Sequence, residues 1–271
     1  LTKPKLDYAA TVMLLRNSAR GMEVLLLERS GKSESFAGAF VFPGGKVDLH
    51  DAHPDYAALY AGHTDSDASQ ILSMPRYGLA YWTGAIRECF EEAGILLAYD
   101  RHGDLISFKD TAVKQRFADY RAGLNNGTLK LLDICRDEQL TLATKQIAYF
   151  SHWVTPVAAP RRFDTRFFVC RVPDHQEALI DNHEAVSQCW LTPAEALRKA
   201  DEENMQIFFP TRKHIEALAE FDDTEQLLNA VLRKTDIPRI LPLRQDTPDG
   251  FRILLPGDDG YEYREIAETH Y

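Results

Sequence analysis

A chain of 271 residues, 45% hydrophobic and 27% charged, can bury a full core in one large domain or two small ones. Its 31 basic against 41 acidic residues, a net charge of −10, exclude broad electrostatic binding to nucleic acid. They do not exclude an anionic substrate that arrives with a divalent cation. The four cysteines, Cys89, Cys135, Cys170 and Cys189, form no CxxC pair, which argues against a zinc site or a disulfide framework. No stretch reaches the roughly eighteen apolar residues of a membrane span. The first ten residues lack the apolar core of a signal peptide, so a cytoplasmic protein without membrane contact is expected.

In chain order, AATVMLLR and MEVLLLERS are apolar runs of strand length joined by the turn-like NSARG, and they predict a hairpin over residues 9–16 and 22–28. AFVFPGGKVD follows, a short apolar segment broken by Pro43, Gly44 and Gly45. The polar stretch after it predicts little beyond one helical turn near Asp55–Tyr60. From about Trp82 the apolar residues Ala85, Ile86, Cys89, Phe90 and Ala93 recur at helical spacing, with Gly94 where a helix ends on glycine. Residues 109–145 predict two helical pieces divided by the turn at Asn125–Gly127. IAYFSHWVTPVAA, RFDTRFFVCRV and EAVSQCWLT read as strands. A helix then starts where Thr192 can cap and Pro193 fits the first turn, and two more cover Thr211–Glu220 and Thr224–Arg233. The tail alternates apolar pieces with turn signals and predicts a terminal hairpin. Residues 1–235 are therefore expected as one domain, with 236–271 as an extension.

The stretch RECFEEAGI, residues 87–95, gathers three carboxylates, Glu88, Glu91 and Glu92. On a helix they stand at i, i+3 and i+4 and share one face, where like charges repel. Compensation must come from solvent, from Arg87 or from a metal ion. Hard cations such as Mg²⁺ take carboxylate oxygens and bridge them to phosphates. An acid cluster alone is more often a solvated helix face.

FVFPGGKVD followed by RECFEEAGI resembles the Nudix box, G-x5-E-x7-R-E-U-x-E-E-x-G-U, of the Nudix pyrophosphohydrolases. Arg87, Glu88, Glu91, Glu92, Gly94 and Ile95 fall on its right-hand half, with Cys89 in the first aliphatic place, and Gly45 takes the leading glycine. Two departures stand out: Asp51 replaces the family's glutamate, and the seven-residue spacer has become the 35 residues 52–86, an insertion of 28. This interrupted box is similar to a subgroup that includes animal coenzyme A diphosphatases. HWVTP, RRFDTRFF and WLTPAEAL look like that subgroup too, which extends the resemblance over about residues 8 to 200.

The resemblance implies an α/β protein, an α/β/α sandwich around a mixed sheet, with an insertion at about 52–80 and Arg87–Leu97 as the metal-bearing helix. It implies Mg²⁺ or Mn²⁺ held by Glu88, Glu91, Glu92 and Gly45, with hydroxide attacking one phosphorus of a diphosphate. Arg87 is expected to orient the carboxylates, and Gly44 and Gly45 to let the backbone approach them. Glu184 is the candidate for a further acid, with Asp164 as rival; His183, His50 and His53 are weaker. Coenzyme A-cleaving members carry a second upstream signature. Here LLLERSGKSESFAGAFVFPGG keeps Arg29, Ser30, Gly38 and Phe42–Gly45 in register, with Leu27 for Thr and Glu34 for Arg. Arg161, Arg162 and Phe163 could hold an adenine and a 3′-phosphate by stacking and charge.

Coenzyme A or an acyl-coenzyme A is thus the expected small-molecule substrate. ADP-ribose, a dinucleotide or a nucleotide sugar is the alternative, and a non-catalytic ligand-binding module the alternative of another class. The insertion and the terminal hairpin could form a homodimer interface.

Overall fold

Successive apolar side chains of a strand point to opposite faces, and the opening hairpin uses both. Val12, Leu14, Leu25 and Leu27 join one buried cluster, while Met13, Leu15, Val24 and Leu26 join another. A strand buried on both faces must be covered on both, so a three-layer arrangement follows. The computed structural model shows it, and describes residues 5–31, 37–156, 159–180, 184–248 and 250–262.

The chain opens with β1 (Leu6–Ser18), β2 (Gly21–Arg29), β3 (Phe40–Val41) and β4 (Gly44–Lys46). Two 3-10 turns, Leu49–Ala52 and Pro54–Ala58, lead to α1 (Asp65–Ile71) and α2 (Leu79–Ala93). Next come β5 (Ala98–Tyr99), α3 (Thr111–Asn125), α4 (Leu131–Asp137) and β6 (Thr141–Leu142). β7 (Ala148–Val154), β8 (Arg162–Arg171) and β9 (Ala185–Leu191) follow, then α5 (Pro193–Glu202), α6 (Phe209–Leu218) and α7 (Thr224–Leu232). The described chain ends with β10 (Arg239–Ile240), β11 (Leu243–Thr247) and β12 (Gly250–Leu254).

The main sheet runs β10-β7-β8-β1-β2-β3, with β4 paired to β1 and β9 paired to β2. It is mixed: β1 runs parallel to β8 and antiparallel to β2 and β4. Trp82, Ile86, Cys89 and Phe90 of α2 cover one face. Ile215 and Leu218 of α6 and Leu227 and Val231 of α7 cover the other. This is the expected α/β/α sandwich. The first hairpin is longer than its apolar runs, and β11 pairs with β12 as a separate hairpin. Among the described residues no helix is long and apolar enough to cross a membrane.

Two expectations change. The helix carrying the acids is Leu79–Ala93, not Arg87–Leu97, because Gly94 turns left-handed (φ 69°) and ends it. The turn expected near Asp55–Tyr60 is the 3-10 turn Pro54–Ala58, and the insertion holds in addition a helix, α1, that was not expected. Its DSDASQI sequence has no apolar stripe, and it forms on a capping box in which Thr64 and Asp67 serve each other's backbone N–H groups.

The second core contains one buried base. His214 has Nδ1 2.6 Å from the Pro210 carbonyl and Nε2 2.6 Å from Ser151 Oγ, and its ring stacks on Phe167. Burial pushes its pKa down to about 4 from 6.5. The unfolded chain takes a proton there below about pH 6.5, whereas the folded chain waits until about 4. Stability from this group is therefore full above the unfolded value and falls as pH drops through that window. At about pH 5 the expected loss is about 2 kcal/mol. Urea unfolding of wild type and His214→Gln at about pH 7.5 and about pH 5 checks this. The variant should lose less stability on acidification, and an identical loss in both would contradict the assignment.

Candidate active site

Helix α2 is held at its start by the insertion. The Asp65 carboxylate accepts the Tyr77 and Leu79 N–H groups (3.0 and 3.1 Å), and Ser69 Oγ accepts that of Gly78 (2.9 Å). A Cβ on Gly78 would lie 2.3 Å from Ser69 N, so only glycine admits this contact. In this structure the insertion braces α2 rather than standing apart from it.

Arg87 is the hub of the acidic face. Its Nε and Nη2 donate to the two oxygens of Asp51, both at 2.9 Å. Nη2 also reaches Lys46 O, and Nη1 donates to Glu88 Oε1 and Glu91 Oε2, each at 2.8 Å. Asp51 is 1% exposed and additionally accepts the Asp48 N–H at 2.8 Å. A planar guanidinium can serve these five oxygens at once, as an ammonium cannot. Burial works against its charge, yet Asp51, Glu88 and Glu91 together hold it more firmly protonated than usual. Arg87 thus orients the carboxylates, and Asp51 orients Arg87.

The glycine pair meets the same face. Gly44 N–H donates to Glu92 Oε2 at 2.9 Å. A Cβ on Gly44 would lie 2.6 Å from Ala10 O, and one on Gly45 would lie 2.6 Å from the Glu88 carboxylate. Gly45→Ala should therefore displace Glu88 rather than unfold the chain, because the obstructed group is the end of a flexible side chain. We expect at least a tenfold fall in turnover, with a melting temperature within a few degrees of wild type. Steady-state rates beside thermal unfolding check this, and full activity would contradict the contact.

Burial drives the carboxylate pKa values upward. Glu88 rises to about 7, with Arg87 opposing and Glu91 adding to the shift. Glu92 rises well above the ordinary value, from burial first and the Glu88 charge second. Glu91 rises for the same first reason. Acids gathered away from water in this way ask for cationic charge beyond Arg87.

Residues distant in sequence lie beside these acids. Arg29 Nη1 lies 3.9 Å from Glu92 Oε1, and its Nη2 lies 3.8 Å from Glu184 Oε2. These are charge contacts too long for hydrogen bonds, and the buried Arg29 Nε has no hydrogen-bond partner. Ser30 N–H donates to Glu184 O at 2.8 Å and fixes that backbone beside β2. Glu184 is thus brought to the acids of α2. Leu27 is 1% exposed and packs in the core, so the residue standing for Thr in the second signature faces no ligand.

Asp164 is not brought there. Its Oδ1 lies 2.7 Å from His152 Nε2 and pairs with Arg166 Nη1, all three being buried on β7 and β8. Its negative charge is matched inside the sheet, which corrects its standing as a rival acid. Arg161, Arg162 and Phe163 lie at the start of β8, on the far side of β1 from the strand β2 that carries Arg29. Arg162 is buried with Nε on Thr155 O at 3.1 Å, so it is not a free surface cation. His53 Nδ1 accepts the Asp55 N–H, and His50 is exposed, lying in a 3-10 turn. Glu34 and His183 lie outside the described residues.

Among the described residues no three His, Cys, Asp or Glu side chains already close on one point. The donor set nevertheless suits a hard divalent cation. Glu88 and Glu91 each give one oxygen to Arg87 and Glu92 gives one to Gly44, which leaves a second oxygen on each. Two supports were not evident from sequence: Gly84, where a Cβ would stand 3.1 Å from Asp51 Oδ2, and Arg121, treated below.

Residues 73–217 match the NUDT19 Nudix domain family, a span that includes α2 and Glu184. The chain is 28% identical over 278 residues to the acyl-coenzyme A diphosphatase NUDT19 of Xenopus laevis, covering 91% of this chain and 73% of that protein. It is 27% identical over 274 residues to the human protein of the same name, covering 90% and 73%. A Nudix hydrolase structure from Alicyclobacillus acidocaldarius superposes with a TM-score of 0.70 at 24% identity, over 84% of this chain and 97% of that one. Nudix hydrolases as a family use divalent metal cations. With the acidic helix, the glycine pair and the sandwich all in place, the chain belongs to the NUDT19 Nudix domain family and is a Nudix pyrophosphohydrolase.

Proposed function

We propose that the chain hydrolyses the diphosphate linkage of coenzyme A or an acyl-coenzyme A, with Mg²⁺ or Mn²⁺ held by Glu88, Glu91 and Glu92 beside Gly45. The carrying observation is the acidic face of α2, set by one arginine and two glycines and bordered by Arg29 and Glu184. The names of the relatives from frog and human support the substrate class. A bound divalent cation supplies neutralisation of the diphosphate oxygens and activation of water.

The protein's own residues do the rest. Arg87 keeps Glu88 and Glu91 in fixed rotamers, and the Gly44 N–H keeps Glu92 turned toward the glycine loop. Arg29, whose Nε is buried without a hydrogen-bond partner, meets the negative charge of the diphosphate. Glu184 takes the proton from the attacking water. The departures at Leu27 and Glu34 favour a second reading, in which ADP-ribose, a dinucleotide or a nucleotide sugar is cleaved instead.

Competing rates for coenzyme A, acyl-coenzyme A, ADP-ribose, NADH and nucleotide sugars, with products identified by mass, test the substrate. We expect 3′,5′-ADP and a phosphopantetheine from the preferred one. Faster cleavage of a substrate without the pantetheine arm would overturn the coenzyme A reading.

A further inference from the structure

The last turn of α2 carries Glu91 and Glu92, and it is the part of a helix whose carbonyls lack intrahelical donors. Ala93 O accepts the Leu179 N–H at 2.9 Å, and Gly94 N–H serves Phe90 O at 3.0 Å. The two carbonyls between belong to Glu91 and Glu92 themselves. Arg121 of α3 takes both: Nε donates to Glu91 O and Nη2 to Glu92 O, each at 2.9 Å. Asn125 Nδ2 adds a longer contact to Glu91 O at 3.4 Å. Phe117, Arg121 and Asn125 are spaced i, i+4 and i+8, so one face of α3 addresses α2. Phe117 is the anchor of that face, buried and edge-on to Phe90 with ring centroids 6.4 Å apart.

We propose that Arg121 is a positioning residue for catalysis, acting through the backbone of Glu91 and Glu92 to fix where their carboxylates can hold a divalent cation. The inference rests on the metal-dependent reading above. A guanidinium forks two adjacent carbonyls, and an ammonium cannot do so in the same plane. The positive charge also faces the negative end of the helix macrodipole. The same helix end holds the segment at Leu179, whose N–H donates to Ala93 O. A Cβ on Gly94 would stand 3.1 Å from Arg121 Nη1 and 3.6 Å from Leu179 O, so the helix end, α3 and that segment converge on one glycine. Gln176 pins the segment from the other side, through both the N–H and the carbonyl of Leu96.

Without Arg121 the last turn frays while the first three-quarters of α2 stays locked by Trp82, Ile86 and Phe90. The effect therefore appears at the carboxylates before it appears in global unfolding. The test uses the full chain with Arg121→Gln and Arg121→Lys. Mn²⁺ affinity is read directly by calorimetry, alongside kcat and KM on the best diphosphate substrate and thermal unfolding. Both variants should bind Mn²⁺ about ten- to a hundredfold more weakly and lose kcat in similar proportion. KM should stay within about twofold. A variant that melts earlier yet keeps wild-type Mn²⁺ affinity and kcat would show a merely structural arginine and overturn the proposal. Should Arg121→Gln fail to fold, Arg121→Lys decides by the same readings. If wild type turns over no diphosphate at all, the functional reading fails. Mn²⁺ affinity then still decides the role of Arg121.

Discussion

Glu92→Gln should abolish most hydrolysis while leaving the metal-free protein as stable as wild type, or more so. The carboxylate is buried, its pKa is pushed well above the ordinary range, and Glu88 repels it. Replacing it with a neutral isostere removes that repulsion and keeps an oxygen for the Gly44 N–H. The lost function is large, because this carboxylate would help hold the cation that neutralises the diphosphate, a contribution of about 3–4 kcal/mol, or roughly two to three orders of magnitude in rate. Two readings separate this from damage to the fold. The melting temperature without metal should be unchanged or raised, and the upward shift on adding Mg²⁺ or Mn²⁺ should shrink, since that shift reports ligand binding to the native state. A variant that melts much earlier but retains turnover would invert the assignment.

Arg87→Met should do the opposite to stability. It strands Asp51, which is 1% exposed, without the two donors that offset its burial. Breaking a buried ion pair by removing one member costs about 3–5 kcal/mol. Glu88 and Glu91 lose their shared donor at the same time, so activity should fall with stability. The double variant Arg87→Met, Asp51→Asn should recover part of the stability, because the uncompensated charge at Asp51 is removed. Activity should not return, as nothing then orients Glu88 and Glu91. Denaturant unfolding of the single and double variants measures the coupling. Additive losses would mean that the Arg87–Asp51 pair is not the support described here.

Both outcomes depend on contacts of unequal legibility in the sequence. The hairpin, the start of the helical period near Trp82, the stop at Gly94 and the common face of Glu88, Glu91 and Glu92 are local. Spacing and side-chain chemistry within a dozen or so residues decide them. Asp51 is 36 residues from Arg87, and its position was readable while its fork on the guanidinium was not. That pairing forms only because the insertion folds back and Gly84 leaves room for the carboxylate. Arg121 is 30 residues beyond Glu91 on a mostly polar helix, and its address on the α2 carbonyls is set by tertiary packing rather than by local spacing. Asp164 misled for the converse reason. From sequence it was an acid beside an arginine-rich strand, and its neighbours His152 and Arg166 are set by strand register. Helix α1 lacks an apolar stripe, so its capping box was its only signal.

The most direct test of the acidic face as the catalytic device is metal-dependent turnover of coenzyme A or acyl-coenzyme A by wild type and by Glu91→Gln, Glu92→Gln, with products weighed by mass spectrometry. Cleavage at the diphosphate by wild type only with Mg²⁺ or Mn²⁺, and none by the folded double variant, is the predicted result. Equal turnover by the folded double variant would contradict it and place the chemistry elsewhere in the chain.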